Sequence, residues 1–390
     1  MSFIGAMRSA LFILCLCGVA LAGEPAVEAY NLRLGSQAFG TLYQFTTNDV
    51  VVEEAGHLLA MGSDIIKFAL DAGRHRKEFK TLTAYAQANP VCQRLFEMPF
   101  RHYFAWTSIA GHANGGYWRK GPNAAEEKIE RDEMFEFTRW LLTRFNGSGK
   151  TFYLGHWEGD WLLLGTAQRG TNNPAPEAVA GMRAWLNARQ QGIDDAKRAT
   201  PHTKVNVFCY AEINRVRDAM LAKPGRDTRV VNAVLPFVTN LDYVSYSAYD
   251  MQNLPEPEMV KTLDYVAAHL ATNKTMALPG RRVFIGEYGF GGGGRAPAGQ
   301  EPLTRAFLAR VLRWGVPFAL FWQVYNNEKG NYFCLIDAKG QPTPCYHLHK
   351  NFLAAARQKV AEFQRTRGRL PTDAEFVALA LPLLEQPAPR

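Results

Sequence analysis

The sequence predicts an α/β protein folded as a (β/α)8 TIM barrel with a short C-terminal helical extension. Three observations carry this. Eight runs rich in Val, Ile, Tyr and Phe recur along the 390 residues, and amphipathic stretches separate them. Eight such units occupy a length that suits a closed barrel with some long loops. The phosphate-binding glycine fingerprint of an open doubly wound sheet, the other arrangement considered, is missing after the first run.

In chain order, the N-terminus "MSFIGAMRSALFILCLCGVALAG" combines Arg8, a short apolar run and the small residues "ALA". It reads as a secretory signal over residues 1–22. The apolar run is too short to span a bilayer, and no later segment is long and apolar enough. The expected strands are "TLYQF" (41–45), "DIIKFAL" (64–70), "HYFAW" (102–106), "TFYLGHW" (151–157), "KVNVFCY" (204–210), "LDYVSYS" (241–247), "RVFIGEY" (282–288) and "FALFWQV" (318–324). Between them, "NDVVVEEAGHLLAMG" offers Asn48 or Asp49 as N-cap and Gly62 as stop. "AEEKIERDEMFEFTRWLLTRF" starts acidic and ends before "NGSG". "PEAVAGMRAWLNARQQG" (176–192) opens on Pro and ends on Gly. The glycine-rich "GEYGFGGGGR" (286–295) does not open directly into a helix, so it reads as a mobile loop. Residues 23–358 form the expected barrel, and 359–390 form the helical extension.

The net charge of +8 and basic runs such as "RHRK" read as solvated surface, because nothing organises them into a nucleic-acid motif. A monomer is expected, and no cofactor motif is found. Cys15 and Cys17 fall in the signal, leaving Cys92, Cys209, Cys334 and Cys345. In an oxidising compartment a bridge between Cys334 and Cys345 would close the turn between them. No zinc spacing appears. "CYHLH" (345–349) reads as helix, which sets its two histidines off the common side a metal needs. No GxSxG elbow supports a serine hydrolase.

A barrel of this kind carries its site at the C-terminal ends of the strands. Glu158 closes the fourth strand in "GHWEGDW", and Glu287 closes the seventh in "GEYG". Glu212 and Asp250 lie just past the fifth and sixth strands. Asp160 reads as a loop cap or a partner for arginine. Aromatic residues crowd the same ends: Trp106, Trp157, Trp161 and Trp322, with Trp118 in the loop after the third strand. Two carboxylates converging across a cleft suit glycoside hydrolysis, one protonated to serve the leaving oxygen and one ionised to attack.

The arrangement resembles the clan of retaining glycoside hydrolases built on (β/α)8 barrels. That resemblance covers about residues 40–355. It implies Glu158 as acid/base, Glu287 as nucleophile, Trp322 as the sugar platform on strand eight, and Tyr246 or Tyr249 as the strand-six tyrosine. It implies a carbohydrate substrate. One position departs from the clan pattern. The Asn that precedes the acid/base and grips the sugar 2-hydroxyl is here Trp157, which leaves that contact to His156 or Asn214. The same departure supports an alternative, a barrel that binds carbohydrate without cleaving it.

Overall fold

The computed structural model describes residues 27–112, 116–271, 278 and 280–385. The signal segment and part of the loop after the third strand lie outside the described residues. Eight parallel strands close into a barrel in sequence order. They are β1 (Leu34–Gln37), β2 (Ile65–Asp71), β3 (His102–Ser108), β4 (Thr151–Gly155), β5 (Asn206–Ile213), β6 (Tyr243–Ser247), β7 (Val283–Tyr288) and β8 (Ala319–Phe321). Seven coincide with expected runs. The eighth does not: "TLYQF" is loop, and β1 lies upstream in "LGSQ". The true strand is short and holds Gly, Ser and Gln, so propensity passes over it. Leu42 and Phe45 of the loop are exposed.

Side chains alternate between the barrel interior and the helical shell. Inward positions in the lower layers are aromatic or aliphatic: Ile65, Phe104, Tyr153, Tyr210, Tyr243, Phe284, Phe318 and Leu320 pack as one cluster. Two residues further along several strands, the inward layer turns polar. It carries Lys67, Glu212 and Ser245, all fully buried. The site stands on this layer.

One irregularity decides how the site is built. Tyr246 pairs with Ile285, but Ser247 pairs with Glu287, so β7 carries an extra residue, Gly286. Strict alternation from the inward Phe284 would turn Glu287 out to the shell and Tyr288 inward. The bulge reverses this. Tyr288 packs outward on Phe307 and hydrogen-bonds His349, and Glu287 faces the barrel mouth. Glycine is required at 286, because a Cβ there would fall 1.7 Å from Ser245 Oγ.

The surrounding helices follow their caps. Asp49 accepts from the Val51 amide at the start of Val50–Met61, and Gly62 ends that helix in the left-handed conformation. Asn123 caps Ala124–Arg144. The helix expected to stop at Gly192 runs on to Ala199. That glycine is a contact point, since a Cβ there would meet the Arg131 carbonyl at 2.4 Å on the neighbouring helix. The last barrel helix is continuous from Pro344 to Arg367, and Asp373–Ala380 and Pro382–Glu385 follow it.

The expected Cys334–Cys345 bridge is not formed. All four described cysteines are buried thiols. Cys334 sits against the Tyr43 hydroxyl, and Cys345 lies 3.5 Å from Thr304 Oγ1, so each faces its own partner. His349 of "CYHLH" is held by the Cys345 carbonyl and by Tyr288, both at 2.7 Å. Among the described residues there is no metal-binding group of side chains and no helix long and apolar enough to cross a membrane.

Candidate active site

An open cleft of about 470 Å³ lies over the C-terminal ends of the strands. Glu158, Tyr249, Glu287 and Trp322 line its floor, with Trp157, Trp161 and Phe333 along its sides. β4 ends at Gly155, and Glu158 follows as N-cap of the short helix Gly159–Leu164. Its side chain is 8 % exposed, so it is nearly dry but open to the cleft. Glu287 reaches the same floor through the β7 bulge.

Ser247 is a neighbour of both acids. Its Oγ donates to Glu158 Oε1 at 2.6 Å, and across the β6–β7 register Ser247 pairs with Glu287.

Beneath them is a buried charge cluster. Lys67 Nζ lies 2.7 Å from Glu212 Oε2 and 3.5 Å from Glu287 Oε1. It also donates to the Gly286 carbonyl at 3.1 Å and sits 4.6 Å over the Trp106 ring. Glu212 accepts from Lys67, from Ser245 Oγ at 2.7 Å, from Trp106 Nε1 at 3.2 Å and from the Glu158 amide at 3.1 Å. Four donors fill this carboxylate's acceptor capacity. Glu212 therefore supports the floor from below and takes no place on the open cleft.

Burial pushes the Glu158 carboxyl up to about 7, and repulsion from Glu212 adds to it. Burial also holds Glu287 well above the usual carboxylate range. Lys67 opposes that rise, while Glu212 and Glu158 reinforce it. Such neighbours titrate as a pair. The Lys67 ammonium, 3.5 Å from Glu287 Oε1, favours the ionised form of that carboxyl. Glu287 Oε1 is buried and makes no hydrogen bond to protein, Lys67 Nζ standing 3.5 Å from it.

The other expected residues divide. Trp322 lines the cleft, its Nε1 donating to Glu328 Oε1 at 3.1 Å, and its peptide bond to Gln323 is cis. Trp106 backs it at 6.1 Å between ring centroids, and Phe39 stacks on both. Trp157, 40 % exposed, crosses Trp106 edge-on at 6.5 Å. Trp161 lies under the Arg215 guanidinium at 5.2 Å. Tyr249 faces the cleft, and burial followed by the Glu287 charge raises its hydroxyl well above the ordinary value.

Tyr246 does not reach the cleft. It is fully buried at an outward position of β6, and its hydroxyl donates to Asp250. His156 also points out of the barrel. Its ring packs on Trp185 at 5.1 Å, and Nδ1 bonds the Trp157 carbonyl at 2.9 Å. Trp118, 1 % exposed, stacks on Trp185 at 5.4 Å within the core. Asp160 accepts the Asn214, Arg215 and Val230 amides and pins the short helix to the loop after β5. Asn214 lines the cleft beside Glu158, its oxygen occupied by the Asp160 amide.

Sequence reasoning missed Lys67 and Ser247. Lys67 had a readable signal: a lone charge at an inward position of the apolar run "IIKFAL", where an unpaired ammonium would be costly. Ser247 had none, because an ordinary serine at a strand end says nothing about its neighbours.

No protein-family model matches the chain. No curated protein matches it either. Solved structures do. One is a family 39 glycoside hydrolase from the gut symbiont Bacteroides cellulosilyticus, with TM-score 0.52 and 13% identity over 84% of this chain. The match spans 64% of that chain, less than two thirds of its length. Another is a glycoside hydrolase 5 lichenase from Caldicellulosiruptor sp. F32, with TM-score 0.51 and 13% identity over 90% of this chain and 99% of the other. A third is a Bacteroidetes-affiliated family 5 cellulase, with TM-score 0.51 and 15% identity over 92% of each chain. At these identities the likeness is one of fold.

Proposed function

We propose that the protein is a glycoside hydrolase that cleaves O-glycosidic bonds of an oligo- or polysaccharide by a retaining, two-carboxylate mechanism. One observation carries the reading: Glu158 and Glu287 line the floor of one aromatic-walled cleft, with Ser247, the register partner of Glu287, hydrogen-bonded to Glu158. In this reading the second carboxylate attacks the sugar directly, with no water held between it and the anomeric carbon. Several of the structures sharing the fold are named glycoside hydrolases, which agrees with it.

In this mechanism protonated Glu158 gives its proton to the glycosidic oxygen as that bond breaks. Ionised Glu287 attacks the anomeric carbon, and the glycosyl unit becomes an ester of Glu287. Glu158, now ionised, takes a proton from water. The hydroxide formed displaces Glu287 and releases the sugar with its configuration kept. Trp322 offers a face for the sugar ring, and Tyr249 offers a hydroxyl beside the nucleophile. Asn214 lines the cleft, and in this reading its amide serves the substrate hydroxyls. The chain acts outside the cytoplasm, as its N-terminal segment suggests.

The test is turnover on a panel of aryl glycosides and polysaccharides, with the product anomer followed by NMR. Glu287→Ala and Glu158→Ala should each lose at least about a thousandfold in kcat on a substrate the parent cleaves. Wild-type turnover in both variants overturns the assignment. Trp157 in place of Asn favours one other reading, carbohydrate binding without hydrolysis. Tight glycan binding with no reducing ends released over days would establish that reading instead.

A further inference from the structure

Beside the cleft lies a second recess of about 270 Å³. Trp157 and Trp161 line both, so the two indoles form a ridge between them. The far side of the ridge holds a cation. Arg119, on the short turn Tyr117–Lys120, lines the recess and donates through Nη1 to the Leu162 carbonyl at 2.6 Å. That bond occupies one of the five N–H groups of a guanidinium. Gly165 makes room for it: the residue ends the short helix at φ +73°, and a Cβ there would fall 1.9 Å from Arg119 Nη2. Among the described residues no carboxylate lines the recess. Over the ridge, Arg215 lies on the Trp161 ring, ion-paired to Asp218, and Arg169 lines the cleft together with Asp250 and Glu328.

We infer that this recess is a sugar subsite for an anionic residue of the glycan, its carboxylate or sulfate ester taken by Arg119 beside the Trp157–Trp161 ridge. A planar guanidinium suits either oxyanion, and exposed indole suits a sugar face. The inference rests on the hydrolase reading for the path of the chain, which leaves the carboxylate pair, crosses Trp157 and enters the recess. It accounts for an exposed tryptophan where a sugar-gripping Asn would stand, because the ridge has a sugar to carry on each side.

The experiment is calorimetry on the Glu287→Gln protein with three oligosaccharides of equal length: an oligoglucuronate, a sulfated cello-oligosaccharide and an unmodified cello-oligosaccharide. At least one anionic ligand should bind about tenfold or more tightly than the neutral one. The tighter of the two anions identifies the oxyanion. The advantage should shrink with added salt and vanish in Arg119→Met. Thr166→Trp, which fills the recess and leaves Arg119 in place, should abolish it with the melting temperature unchanged. Equal affinities for all three ligands, or an Arg119→Met loss as large for the neutral ligand as for the anions, overturn the subsite. Wild-type turnover of aryl glycosides is measured separately. Its absence overturns the hydrolase reading and leaves the binding result standing, and unselective binding by an active enzyme does the reverse.

Discussion

Lys67 Nζ lies 2.7 Å from Glu212 Oε2 across the barrel, and neither side chain is exposed. The pair joins β2 to β5 and places one positive charge among three carboxylates. Removing one partner leaves the other charged and dry. Lys67→Met and Glu212→Gln should each destabilise the fold by about 3–5 kcal/mol, and the double variant by clearly less than their sum. Urea denaturation of the four proteins tests this. Strict additivity would mean that the two groups do not depend on each other.

Ser247 governs the proton. Its hydrogen bond to Glu158 favours the ionised form and lowers that carboxyl. Ser247→Ala should therefore move the alkaline limb of kcat/KM to higher pH, since the acid then keeps its proton longer. Turnover at the optimum should fall by about tenfold to a hundredfold, the worth of a hydrogen bond to a charged group. A pH profile superimposable on the parent's would remove Ser247 from the mechanism.

Stability should fall with rising pH through the same carboxyl. Burial raises Glu158 from the ordinary 4.5 to about 7, so the folded protein holds this proton more tightly than the unfolded chain does. The contribution is complete below pH 4.5 and is lost as pH rises through about 7. Glu158→Gln cannot ionise. It should match the parent at pH 4 and exceed it at pH 8 by up to about 3 kcal/mol. Denaturant titrations at the two pH values decide the matter, and equal stability at pH 8 would contradict it.

The thiols give a simpler measurement. Cys92, Cys209, Cys334 and Cys345 are buried and unbridged. Ellman's reagent should react with them only after denaturant is added, and dithiothreitol should leave the melting temperature unchanged. A reductant-dependent drop of several degrees would restore the Cys334–Cys345 bridge.

Much of the architecture was legible because burial leaves local marks. A parallel strand covered on both faces reads as an apolar run, so seven strands stood out from the residues alone. β1 did not, because "LGSQ" is held in place by neighbours rather than by propensity. Glu158 and Glu287 were legible by position, each closing an apolar run. The direction of a side chain was less so. Tyr246 and His156 sit near the right strand ends but have outward parity, and Trp118 is large enough to be either wall or core.

By itself, the sequence determined the alternation of strand and helix, the closed class of fold and the two strand ends where acids stand. Only the tertiary structure decided which of these groups meet. Glu287 faces Glu158 because a bulge at Gly286 overrides the two-residue period of β7. Lys67 and Glu212 are 145 residues apart in the chain, and they touch because closure of the barrel brings β2 and β5 across the same interior layer. Periodicity is a local property of a strand. Register around a closed sheet is set by all eight strands together, and no short stretch of residues contains it.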